Sequence, residues 1–178
     1  MALLSAYNLI RILLTAHLLF GILLIYTPKI LTEQNIIFLL GEAVGLPHPK
    51  SSFHLNPLAT SILGIMFIFS GISDLVVVSS YEEVSRGYWD AQAPFRMAFF
   101  FFLTAYTYVL RPGRGNTDIS INPLKNSLVF TWAFVEVIMW FWIYNQLKEE
   151  RRGAQHRIET RRRMQAQLNG EDVDDFGR

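Results

Sequence analysis

Residues 124–147, LKNSLVFTWAFVEVIMWFWIYNQL, form one apolar run broken only by Lys125 at its start and by an acid, Glu136, at its centre. A helix rises about 1.5 Å per residue, so roughly 20 such residues cross a hydrocarbon core about 30 Å thick. Three more stretches read the same way. Residues 9–26 carry Arg11 near their start and His17 inside. Residues 58–78 hold a single charge, Asp74. Residues 95–110 begin beside Arg96 and are short, a length that snorkelling at both ends extends. A soluble bundle needs a polar face on every helix. PLATSILGIMFIFSGISDLVVV and AFFFFLTAYTYVL carry none of the required width. The sequence therefore predicts an all-α polytopic membrane protein with four transmembrane helices and one short interfacial or re-entrant helix. The short helix falls within QNIIFLLGEAVGLPHPK, residues 34–50, and ends at Gly45 and Pro47.

The breaks between these runs are consistent with them. Pro28 stops the first helix. Pro57, Pro94 and Pro123 each stand just before a span, where a missing N–H costs little. RPGRGNTDISINP, residues 111–123, is a turn-rich loop. Two units result: a transmembrane domain over residues 1–147 and a charged tail over 148–178. The tail continues as a helix through KEERRGAQHRIETRRRMQAQL and turns disordered in the acidic GEDVDDFGR. Lys148, Arg151, Arg152, Arg157, Arg161, Arg162 and Arg163 follow the last span closely. Positive charge at that distance orients a chain, so both termini are expected in the cytosol. The first span has no basic stretch before it and reads as a retained anchor rather than a cleaved signal.

The chain has no cysteine, which removes disulfides, thiolate metal sites and cysteine nucleophiles. His17, His48, His54 and His156 lack metal-ligand spacing, so no metal or other cofactor is expected. A net charge of +1 gives no ground for nucleic-acid binding. The chemistry on offer lies inside the membrane. A charge at that depth costs roughly 2.5–3.5 kcal/mol, so it turns inward and finds a partner. Two polar layers follow. Asp74 pairs with Arg96 or Arg11 toward the cytosolic side, and Glu136 pairs near mid-membrane with His17 or with Tyr and Thr hydroxyls. Ser70 and Gly71 lie one turn before Asp74, with Gly64 seven residues earlier, giving a small-residue stripe that admits a neighbouring helix. Trp132 and Trp140 flank Glu136 one turn to either side. With Ser70, these two indoles are the ligand-binding candidates.

Three segments carry a family resemblance: LGIMFIFSGISDL with Gly71 and Asp74, APFRMAFFFFLTAYTY with Pro94 and Arg96, and FVEVIMWFWIYNQLKEE with Glu136, Tyr144 and Asn145. In order and spacing they resemble the fungal increased loss of mitochondrial DNA protein family. The likeness covers about residues 57–150. It implies a four-span protein of the endoplasmic reticulum membrane linked to mitochondrial genome maintenance, and it assigns no catalytic residue.

The leading expectation is a non-enzymatic accessory or assembly factor in membrane or lipid homeostasis, with an indirect effect on mitochondrial DNA. Its partners would be the lipid bilayer and another membrane protein. The first alternative is a lipid- or sterol-binding pocket among the aromatic residues. The second is a cation- or proton-conducting oligomer.

Overall fold

A computed structural model describes residues 5–47, 56–109 and 124–168, and every regular element among them is helical. The helices are α1 (Ala6–Tyr26), α2 (Pro28–Thr32), α3 (Asn35–Val44), α4 (Pro57–Val78), α5 (Glu82–Val109) and α6 (Ser127–Leu168). The expected loop 111–123, His48, His54, Pro123 and the acidic end lie outside the described residues. Three helices, α1, α4 and α6, are long and apolar enough to cross a membrane. Many of their large apolar side chains, such as Ile12, Leu19, Ile65, Phe69 and Phe141, point outward. That is the inside-out surface of a helical membrane protein. The predicted third span, 95–110, lies in α5, which is not among the three.

Local chemistry sets most of the ends. Pro28 and Pro57 each occupy the first turn of a helix, where the absent N–H would have had no helical partner. The Val129 N–H donates to Asn126 Oδ1 at 2.9 Å, capping α6 three residues later than the apolar run begins. At the end of α3, Gly45 takes φ 73°, and the Leu46 N–H reaches back to the Gly41 carbonyl at 2.8 Å.

Pro94 corrects the sequence reading. It stands inside α5, which begins at Glu82 rather than after the proline. The residues before it supply their own helical support. Glu82 and Glu83 sit in the first turn, where the helix dipole favours negative charge, and Arg86 pairs with Glu82 one turn on at 2.5 Å. One lost backbone hydrogen bond does not outweigh that continuity. A helix of 28 residues results.

The four long helices run alternately up and down and associate in two pairs. Glycines seat α1 against α4. A Cβ on Gly64 would fall 2.6 Å from the Gly21 carbonyl oxygen, and one on Gly21 would fall 2.8 Å from that of Gly64. The two backbones touch directly, as small residues permit in lipid. The second pair, α5 with α6, is held by large rings. Trp89 stacks on Trp140 with centroids 5.8 Å apart, and Phe100 meets Trp132 edge-on at 5.1 Å. α3 lies across the start of α6, where the Ser127 N–H donates to the Pro47 carbonyl at 3.0 Å. Ile36, Phe38 and Leu39 on α3 remain exposed. α6 continues unbroken for 42 residues, and beyond Arg151 its side chains are mostly exposed.

Gly64→Ala is expected to lower stability by about 1–3 kcal/mol through overpacking. Gly87→Ala, where a Cβ meets nothing within 4 Å, is expected to be neutral or to stabilise by up to about 1 kcal/mol. Thermal unfolding of both variants in mild detergent checks the contrast.

Candidate functional site

Asp74 and Glu136 are each only 3% exposed, so both acids turn inward. Asp74, on α4, receives a two-pronged contact from Arg96 on α5: Nη1 donates to Oδ2 at 2.7 Å and Nη2 to Oδ1 at 2.8 Å. This parallel geometry is the strong form of a guanidinium–carboxylate pair. Tyr88, two turns before Arg96 on α5, adds its hydroxyl to Asp74 Oδ1 at 3.2 Å. Glu136, on α6, bonds through Oε1 to His17 Nε2 on α1. Its other oxygen accepts the Trp140 indole N–H at 2.9 Å. Of the alternatives open for each acid, Arg96 and His17 are the partners found. Arg11 joins neither acid. It lies exposed near the start of α1 and contacts Asn8 at 3.5 Å. At the end of a span a long basic side chain reaches water unaided and needs no buried partner.

The two expected layers form one network. The Arg96 guanidinium lies over the Trp140 ring, 5.1 Å from its centroid, and over Trp89 at 5.5 Å. Trp140 thus holds a cation on its face and donates to Glu136 from its edge. Polar contact runs from Tyr88 through Asp74, Arg96, Trp140 and Glu136 to His17. Every ion pair in it joins one helix pair to the other. A third polar link of this kind is the Ala6 N–H donating to Glu150 Oε1 at 2.8 Å, between α1 and α6.

Tyr88 and Trp89 belong to the site although sequence reasoning passed over them as part of a connection. Their signal was periodic. Ser85, Trp89, Ala93, Arg96 and Phe100 recur every three or four residues, so one face of a helix that starts before Pro94 carries them all.

Beside the network lies a cavity of about 350 Å³. His17, Ser70, Arg96, Trp132 and Trp140 line it, with Phe67 and Phe100 among the remaining walls. It therefore gathers five of the eight residues singled out from sequence, while Asp74 and Glu136 stand behind Arg96 and His17. Its rim is formed by Leu63 and Met66 on α4 and Phe95 and Phe99 on α5, all of them exposed. The mouth thus opens between α4 and α5 onto a surface of exposed apolar side chains. Among the described residues no group of histidine and carboxylate side chains could hold a metal ion.

Residues 4–157 match the family described as "Ilm1: Increased loss of mitochondrial DNA protein 1". The chain belongs to the Ilm1 family. It is similar to Protein ilm1 of Schizosaccharomyces pombe, 26% identical over 132 residues that cover 74% of this chain and 73% of that one. It is also similar to Protein ILM1 of Saccharomyces cerevisiae, 28% identical over 143 residues, or 80% of this chain and 62% of the yeast protein. No solved structure matches. The stretch matched to the Ilm1 family contains the whole network and cavity and ends inside the projecting part of α6.

Arg96→Gln leaves Asp74 buried without its counter-charge and is expected to cost about 3–5 kcal/mol. Adding Asp74→Asn should recover part of that loss, with a coupling of about 0.5–3 kcal/mol in the double-mutant cycle. Unfolding of the three variants in detergent measures it, and strictly additive losses would contradict the pairing.

Proposed function

We propose that this Ilm1-family protein is a four-span protein of the endoplasmic reticulum membrane that holds a single lipid molecule in the cavity between its helix pairs. It serves membrane or lipid homeostasis, and the link to mitochondrial DNA carried by the family's name follows indirectly. The observation behind this reading is the cavity itself. It combines a few polar groups with aromatic walls, the usual make-up of a small-molecule site, and it opens toward the acyl chains rather than toward water.

The up-and-down order of the four long helices supports the four-span reading. The 28 residues of α5 extend about 42 Å, enough to cross the core alongside α6. Its Phe95, Phe99, Phe101 and Phe102 are exposed at the depth where lipid would meet them. The basic residues after Leu147 favour cytosolic termini. A part as accessory or assembly factor for another membrane protein is favoured by the projecting end of α6, where Ile158 and Met164 are exposed. Ion conduction gains no support, because both intramembrane acids are already engaged by basic partners in the same chain.

Two measurements test the proposal. Native mass spectrometry of protein extracted in mild detergent should find one retained lipid. Ser70→Phe, which fills the cavity, should lose it while helix content by circular dichroism stays unchanged. A wild-type protein that carries no lipid would refute the binding role. For the topology, proteolysis of sealed microsomes from outside should remove tags at both ends; protection of either tag would overturn the orientation.

A further inference from the structure

Both basic groups that line the cavity are already engaged. Arg96 spends its two terminal nitrogens on Asp74, and His17 gives Nε2 to Glu136. A phosphate or carboxylate placed there would compete with Asp74 for the guanidinium and would sit near two existing negative charges in a medium that screens them poorly. The wall is thus polar without being a vacant cation, and an anionic headgroup finds no unanswered charge.

Besides the N–H donors of Trp132 and Arg96, two groups on the lining that can accept a hydrogen bond remain open. One is Ser70. Some hydroxyls within these helices bond back to the carbonyl four residues earlier, as Thr15 does to Arg11, Ser73 to Phe69 and Thr104 to Phe100, all at 2.8 Å, while Ser85 and Thr131 make no bond. Among the hydrogen bonds of the described residues, Ser70 makes no such bond and has no other partner, although it lies in mid-helix at the cavity. In hydrocarbon a hydroxyl in that position lacks water to satisfy it. The other is the second ring nitrogen of His17, since Nε2 alone is engaged. A hydroxyl can both donate and accept. With Nε2 carrying the proton toward the carboxylate, Nδ1 is an acceptor, so one alcohol could accept from Ser70 and donate to His17. The remaining walls, Phe67, Phe99, Phe100 and Trp132 among them, suit an uncharged apolar body.

Building on the lipid-binding reading, we infer that the cavity selects an uncharged lipid alcohol, its hydroxyl placed between Ser70 and His17 and its hydrocarbon leaving through the gap between α4 and α5. A sterol and a diacylglycerol share this chemistry.

The test uses the full chain purified in mild detergent and challenged with photoreactive probes: a sterol, its acetate ester, a diacylglycerol, a fatty acid and a phosphatidic acid. Labelled peptides are mapped by mass spectrometry. Labelling by the sterol or the diacylglycerol, whichever is the stronger, should fall on α4 and α5 peptides that line the cavity. It should exceed labelling by both anionic lipids, and for the sterol, esterification should weaken it about fivefold, the loss of roughly one hydrogen bond. Ser70→Ala should weaken labelling by the alcohol by a similar factor and leave the acetate unchanged, a pattern that simple loss of folding would not give. Whether sterol or diacylglycerol labels more strongly tells the two sources apart. Preference for an anionic lipid, or equal labelling by alcohol and ester, overturns the inference and leaves lipid binding intact. Cavity labelling by none of the probes overturns both.

Discussion

A carboxylate cannot stand alone in hydrocarbon, and this bundle is organised around that prohibition. Asp74 and Glu136 sit on helices of different pairs, and each is answered from the opposite pair. Apolar packing would leave α1 with α4 and α5 with α6 as two separable units, because lipid tails offer Leu and Phe as good a surface as another helix does. The ion pairs supply what packing cannot. They fix which pair meets which and at what height. The glycine contact between α1 and α4 and the ring contacts between α5 and α6 then set the internal spacing of each unit.

The cavity is a by-product of this division of labour. α4 and α5 are neighbours along the chain, yet they meet mainly through Asp74, Arg96 and Tyr88. Below those contacts their side chains diverge, and the rings of Phe67 on α4, Phe100 on α5 and Trp132 on α6 form the back wall. Polar ties near one end of a helix hairpin and loose packing along the rest leave a slot that faces the membrane.

Much of this was readable from the residues. Hydropathy over about 20 residues is a local property, and the cost of burying charge makes Asp74, Arg96, Glu136 and His17 conspicuous one at a time. The glycine stripe likewise signalled a close helix crossing, though not that Gly21 would be the facing residue. Other features were hidden because they depend on neighbours. Pro94 reads as a boundary until the acidic first turn before it is seen to sustain a helix. Tyr88 and Trp89 looked like part of a connection for the same reason. Arg11 drew suspicion by its charge alone, yet its position near a helix end lets it reach water. The joining of two polar layers by Trp140 depends on one indole presenting edge and face to different partners, which no spacing rule encodes.

The length of α6 has a geometric consequence of its own. Once Leu147 is at the bilayer boundary, the helix runs on to Leu168, about 30 Å farther at its ordinary rise. Glu150 and Arg151 clamp its root to the first turn of α1 and to Asp90 on α5, so the rod leaves at an angle the bundle dictates. Whatever engages its far end is therefore met at a set stand-off from the lipid and on a fixed bearing. How far the rod stands out is set by its residue count rather than by chance diffusion.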